Sequence, residues 1–386
     1  AAKYPDDPDA ATLYADSLMN LHPWKLWNPD GSPGEDTAEI VSTLEATLRR
    51  YPHHIGAMHM YIHAVEASPH PERALPQANA IAQLAPAAGH LVHMPAHIYQ
   101  RTGNFDGARV QNEAAAGADE HYLKSTGNEG MYMAMYYNHN LHFGAISAGM
   151  QGRCTDAIAM ASKMVTNIGP MAKEMPMVEP FLGTASAIYV RCGRWDDLLA
   201  AHAPDAQTSA WKALWLYSHG MALAVRGRLD EAAAELARLN AIEATQPHDE
   251  LFMPPVENHT WQIEHLAAAI LAARIAEGRG DRKTAIAKLE EAVATQDTLL
   301  YNEPADWYYP VRESLGGLLL RAGDNAAAEA VFRKDLELNP RNPRSLFGLA
   351  EALNRQKRDY EAAWVKTQFQ QAWQGADVPL SVDTLF

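Results

Sequence analysis

The chain is nearly without cysteine: of its 386 residues only Cys154 and Cys192 are cysteines, and they form no C-x-x-C pair. That scarcity excludes a disulfide framework and a thiolate zinc finger. Basic charge is also short, with 32 Lys and Arg against 47 Asp and Glu and a formal net charge of −15. Nucleic acids and anionic membranes are bound through basic surface, so neither is expected as the main partner. No run approaches about 18 consecutive apolar residues, so no segment is long enough to cross a bilayer as a helix. A soluble protein of the cytoplasm or periplasm is expected. Strand signals are missing too, since no sustained apolar–polar alternation is bounded by Asn-Gly or Asp-Gly turns. There is no G-x-S-x-G elbow, no Walker A loop and no dinucleotide fingerprint, and Gly278 to Thr284 reads as an inter-helix turn. The chain opens Ala1-Ala2-Lys3-Tyr4-Pro5, without an initiator Met or a charged-then-apolar leader, as expected of a processed or incomplete chain.

What the chain has in quantity is helix-forming sequence. Hydrophobic residues make up 47% and charged residues 20%, enough to bury a core throughout. Ala- and Leu-rich stretches of helical period recur, as at 209–225, 230–244, 284–294 and 326–338. Short breakers separate them: Gly103-Asn104, Gly152-Arg153, Gly193-Arg194, Gly227-Arg228, Gly280-Asp281 and Gly323-Asp324. This is the pattern of a string of helical hairpins without a dividing linker.

The hairpins carry a period. Gly193 to Gly227, Leu315 to Leu349 and Ala74 to Ala108 each span 34 residues. One repeat has Gly323 at its turn, Gly316 in its first helix, Ala328 and Phe332 in its second, and Pro340 closing it; Pro86 closes another. With Gly103, Ala108 and Tyr99 in matching places, the sequence resembles the tetratricopeptide-repeat family. The resemblance implies an all-α solenoid of helical hairpins, a right-handed superhelix whose first helices line a concave groove. It covers most of the chain unevenly: offsets of 49, 53 and 43 residues at Gly103–Gly152, Gly227–Gly280 and Gly280–Gly323 mark longer helices or insertions, such as 118–130. The organisation expected is a single solenoid over 1–386, with 1–170 as the His-rich, metal-binding half and 171–386 as the structural half that completes the groove.

Twelve of the seventeen histidines precede residue 151, and they keep the repeat register. His59 to His93 and His63 to His97 are both 34 residues, while His93 to His142 and His90 to His139 are both 49, the offset of the turn glycines. Residues three and four apart share one helical face. His59, His63, His90, His93, His97, His139 and His142 are therefore expected to line one groove, with Glu66 in the next slot of the same stripe. Helices pack about 8–10 Å apart, so rings from neighbours can meet between the first and second His repeats and again between the second and third. Two metal sites, or one site and a polar substrate wall, are expected rather than a single ion bound by all seven. Pro95, between His93 and His97, either kinks the helix or starts a new one. Met131 and Met135 extend the stripe of His139 and His142 and would suit a soft ion. His219 and His265 are expected to be structural.

A His-rich, oxygen-poor donor set, with Glu66 as a further candidate ligand or as partner of a histidine, suits Zn, Cu or Fe over Mg or Ca. The H-x-x-x-H pairs have Met60 and Met94 where a zincin helix has its general base. The segments His54–His63 and Gly89–Tyr99 also resemble motifs of a group of bacterial tetratricopeptide-repeat proteins, a resemblance that implies the same fold and no particular reaction. One reading is thus a metal-dependent enzyme, redox or hydrolytic, with Glu66 and Arg101 as candidate catalytic groups and a small molecule or peptide as groove ligand. The other readings are a metal-free scaffold that holds a peptide or protein segment in the groove, and a metal storage or transfer protein.

Overall fold

Gly103, Gly152, Gly193, Gly227, Gly280 and Gly323 all adopt positive φ, between +64° and +83°. A side chain there would crowd the backbone, so glycine closes each of these hairpins at little steric cost. The computed structural model describes residues 3–127 and 130–386, and among them the regular elements are helices, with two isolated bridges, Trp27 to Pro33 and Leu251 to His259. Ala1 and Ala2 of the N-terminal reading, and Asn128 and Glu129 of the 118–130 insertion, lie outside the described residues. The chain forms two compact units, Ala1–Ser147 with Leu300–Glu303, and Ala148–Leu299 with Pro304–Phe386. The boundary drawn on histidine content, at residue 170, is therefore not the one that packing draws.

The first unit contains α1 (Pro8–Met19), α2 (Thr37–Arg50), α3 (Ile55–Glu66), α4 (Leu75–Leu84), α5 (Gly89–His93), α6 (Pro95–Arg101), α7 (Phe105–Thr126) and most of α8 (Asn138–Met150). Local chemistry starts them. The Asp7 carboxylate accepts from the amides of Asp9 and Ala10 at the head of α1, the His54 ring accepts from Ala57 N at the head of α3, and Asn104 accepts from Gly107 N at the head of α7. Successive hairpins then stack, α1 on α2 and α3, α3 on α4 and α6, and α6 on α7. Ile40, Leu44, Met58, Ile62, Val65, Ile81, Met94 and Ile98 fill the space between them. The 118–130 insertion is largely helix, because α7 runs on to Thr126.

The second unit repeats the scheme with α9 (Cys154–Ile168), α10 (Glu179–Arg191), α11 (Trp195–Ala200), α12 (Ser209–Val225), α13 (Leu229–Glu243), α14 (Thr260–Gly278), α15 (Arg282–Gln296), α16 (Val311–Ala322), α17 (Asn325–Leu338), α18 (Pro343–Arg355) and α19 (Asp359–Ala372). Each of the pairs α12–α13, α14–α15, α16–α17 and α18–α19 is a hairpin. First helices touch the next first helix, α12 on α14 and α16 on α18. Each unit is thus an all-α, tetratricopeptide-like stack of hairpins. Cys154, at the start of α9, and Cys192, just past α10, form one disulfide at a sequence separation of 38. A framework of several bridges is absent, as the count of two requires, but the two thiols are not separate.

The inner helices of this unit hold part of the chain itself. Ser314 of α16 donates to the Leu385 carbonyl, Arg344 of α18 to that of Thr384, and Arg274 of α14 to that of Phe386. Leu385 is buried against Gly317, where a β-carbon would lie 2.6 Å from its own. A cavity of about 470 Å³ opens beside this segment, walled by Trp195, Tyr217, Trp307 and Arg191.

Phe332 of α17 is fully buried in the seam between α16 and α18. A β-carbon on Gly348 would lie 2.1 Å from its ring, and one on Gly316 2.4 Å. Gly348→Ala should therefore destabilise the protein by about 1–3 kcal/mol through overpacking, although alanine is the better helix former by about 1 kcal/mol. Urea unfolding measures this, and Phe332→Leu introduced into the Gly348→Ala protein should recover part of the loss.

Candidate metal centre

The His-bearing helices meet inside the first unit. Pro95 leaves the amide-to-carbonyl ladder broken at Leu91, and the structure divides there into α5 and α6. Met94 between them keeps right-handed helical angles (φ −49°, ψ −37°), and its amide still reaches the His90 carbonyl at 3.1 Å. The helical path is thus continuous through the proline, and His93 and His97 stay on one face with their Nε2 atoms 2.8 Å apart.

Two triads of rings result. His59 and His63 of α3 converge with His90 of α5, and His93 and His97 converge with His139 of α8, one donor nitrogen of each lying within 4.8 Å of the others in its triad. In the first, the Nε2 atoms of His59 and His90 are 2.9 Å apart. Nitrogens sharing a tetrahedral ion at about 2.1 Å stand about 3.4 Å from each other, so small ring rotations convert either triad into a three-nitrogen ligand set. The second triad is the first displaced by one repeat. Each takes two residues four apart along one continuous helical path (α3, or α5 running into α6) and a third from the helix of the next hairpin.

Tautomers follow from the partners. Asn112 of α7 donates its Nδ2 to the Ala108 carbonyl, so its Oδ1 is an acceptor, and the Nδ1 of His93, 2.6 Å away, donates to it. The Nδ1 of His63 donates to Glu66 Oε1 at 2.8 Å. The Nδ1 of His97 lies 2.6 Å from the other Glu66 oxygen and 3.0 Å from Glu303 Oε2. Each of these partners turns an Nε2 into the space between helices, as outer partners of metal-binding imidazoles do. The Tyr301 hydroxyl spans Glu66 and Glu303, at 3.1 and 3.0 Å.

Burial sets the protonation states. It pushes His59, His90 and His139 down to about 3 and His63 to about 4, helped by the positive field of neighbouring rings, and holds His93 well below its ordinary value. His97 goes the other way. Burial alone would lower it, but Glu66 and Glu303 outweigh that and raise it to about 10. Five rings are therefore neutral, each with one lone pair, and one is a cation clasped by carboxylates, its Nε2 donating to that of His93.

The remaining candidates fall outside the triads. His142 is buried one turn beyond His139, and it has no histidine four residues on, because Ile146 stands at the position that His63 and His97 occupy in the earlier repeats. Arg101 directs its Nε to the Glu66 carbonyl at 3.0 Å and lays its guanidinium over Tyr301, 5.5 Å from the ring centre, so it closes the end of α3 rather than facing the rings. Glu66 itself is buried as the shared partner of His63 and His97. Met131 and Met135 are exposed. A π-helical turn at Met133–Tyr137 adds a residue to the winding and breaks the stripe that a regular helix would have made with His139. His219 pairs with Glu235, and His265 with Glu243 and Glu291, in the second unit.

Phe143 packs against all three rings of the second triad at 5.2 to 5.8 Å between centres. Asp119 of α7 anchors the start of α8, accepting from Asn140 at 2.7 Å and Tyr132 at 2.6 Å, and so sets the height of His139. Glu303, Tyr301 and Asn112 were not among the residues expected from the sequence. The only signal for the first two is the surplus length of the 43-residue Gly280–Gly323 interval, which holds their loop.

No protein-family model matches the chain, and no curated protein does. Among solved structures it is similar to the tetratricopeptide-repeat domain of P58(IPK), at 15% identity over 96% of this chain and 97% of that one, with a TM-score of 0.23. It is similar also to a chain of the APC/C hetero-tetramer Cut9-Hcn1, at 11% identity over 99% and 90%, with a TM-score of 0.29. The hairpin architecture stands on the packing within the two units and not on these scores.

The ionisation pattern gives a pH dependence for the metal-free protein. The rings whose values are depressed contribute stability that is present above about pH 6.5 and lost as pH falls toward 3. His97, raised to about 10, contributes stability present below about pH 6.5 and lost as pH rises through 10. Urea midpoints of chelator-treated protein should therefore fall on both sides of about pH 6.5. Glu66→Gln should flatten the alkaline limb, since one of the two carboxylates holding the His97 cation is gone.

Proposed function

We propose that the first unit binds transition metal through the triads His59–His63–His90 and His93–His97–His139, and that the protein is a metal-dependent enzyme. The observation that carries this reading is the outward-turned Nε2: three Nδ1 atoms are committed to Glu66, Glu303 and Asn112, which leaves the opposite nitrogens aimed at common points. Neutral, desolvated imidazoles without a cation are an expensive arrangement that a bound ion relieves. Six nitrogen donors, five on neutral rings and the sixth on His97 once an ion displaces its proton, favour Zn, Cu or Fe. Three protein ligands leave a position on each ion for water or a small substrate, the geometry of catalytic rather than closed structural sites. Activation of that water and redox chemistry with dioxygen are both open to such an ion, and assays of ester hydrolysis against oxygen consumption separate them. Glu66 and Arg101 act here by holding ligands and backbone rather than by touching substrate. The disulfide further favours an oxidising compartment such as the periplasm over the cytoplasm.

A second reading, a scaffold that holds an extended peptide or protein segment, is favoured by one observation in the second unit: its inner helices already receive residues 384–386 through three main-chain carbonyls. The two readings concern different units and do not compete for residues.

Elemental analysis of protein made without a His-tag tests the first. Stoichiometric Zn, Cu or Fe is expected, reduced in His93→Ala and His139→Ala and unchanged in His142→Ala. Protein that stays free of all three metals through titration would leave the scaffold reading alone standing.

A further inference from the structure

Resting on that reading of the triads, we infer that the two are halves of one paired centre, whose ions are close enough to sense each other magnetically. The repeat sets the spacing. The second triad is the first moved by one hairpin step, and a step between packed helices is about 8–10 Å. The rings that face one another across the step are nearer than that: His63 and His97 are 5.0 Å apart between centres, and His90 and His93 6.1 Å. No layer of other side chains separates these pairs.

The two halves are also joined covalently and by hydrogen bonds. His90 and His93 lie one turn apart on α5 and serve different triads, so a shift of that helix moves both sites together. Glu66 gives one carboxylate oxygen to His63 of the first triad and the other to His97 of the second, at 2.8 and 2.6 Å. Its position is thus that of a strut between the halves. Because the repeat adds the same three slots each time, and Ile146 ends the series, the chain builds two sites and stops.

The arrangement has a rival within the same residues. His63, Glu66, His97 and Glu303 also bring four donor atoms within 4.8 Å, and a single ion held there would use the two carboxylates that the pair leaves in the outer sphere. The rival binds one ion and has no need of His59, His90, His93 or His139, so stoichiometry and variants tell the two apart.

The test uses the full chain, freed of metal by chelator and titrated with copper(II) sulfate, and reads bound copper and the electron paramagnetic resonance spectrum. The pair predicts two coppers per chain, a dipole-broadened signal and a half-field transition. His59→Ala and His139→Ala should each bind one copper, with an ordinary isolated-ion signal and no half-field line, while His142→Ala should match the parent protein. Two bound coppers with the spectrum of two isolated ions would overturn the pairing while leaving metal binding intact. One copper that survives both His59→Ala and His139→Ala would overturn it in favour of the carboxylate site. Absence of any bound copper would remove the metal reading and the pairing with it. The parent spectrum decides the question even where a variant fails to fold.

Discussion

The buried carboxylate of Glu66 is the contact on which the rest of the first unit's polar interior depends. A carboxylate out of water is costly unless it is paired and hydrogen-bonded. Here its two oxygens accept from imidazoles on two different helices, and the Tyr301 hydroxyl adds a further bond. The pairing fixes the tautomer of His63 and the charge of His97, and so decides which ring nitrogens face the space between helices. Remove it and the rings are free to rotate. The convergence of Nε2 atoms is then no longer imposed by the fold.

Much of this was open to inspection in the sequence, because a repeat turns a linear offset into a spatial one. The six turn glycines stand where hairpins must reverse, and all six have the backbone angles that need glycine. The offsets of 34 and 49 residues placed the histidines in equivalent slots, and the structure assembles its triads from those slots. Extending the arithmetic one residue further explains His142. Adding 49 to 97 lands on Ile146, so the third repeat begins a triad without the residue that would complete it.

What was hidden is whatever the repeat does not generate. Glu303 reaches His97 across 206 positions, from an irregular loop with no slot in the hairpin pattern. Asn112 lies on a second helix, and an isolated asparagine in α7 is indistinguishable by spacing from one that faces solvent. The π-helical turn before α8 leaves no mark in the sequence, yet it separates Met135 from the rings. Pro95 shows the opposite error. Proline was weighed as a break in the one-face argument, but Met94 keeps helical angles across it, so only a hydrogen bond is lost and not the register. The pairing of Cys154 with Cys192 likewise depends on two helix ends meeting, which a count of cysteines does not describe.

The energetics of the triads bear on why such an interior persists. An apolar residue at each of these slots would pack without desolvating a ring, and burial lowers five of the six imidazoles below their ordinary range. His97 is held by two carboxylates, while His63 shares one of them and His93 has only the Asn112 amide. The apolar contacts around Ile40, Met58, Ile62 and Ile98 form the packed core of the first unit. An ion bound only by the folded state would stabilise the unit by about 4 kcal/mol at a thousandfold excess over its dissociation constant. Folding and metal uptake would then be linked through the same rings. A hairpin array can carry that linkage with few extra parts, because each added repeat supplies both a packing surface and another set of slots.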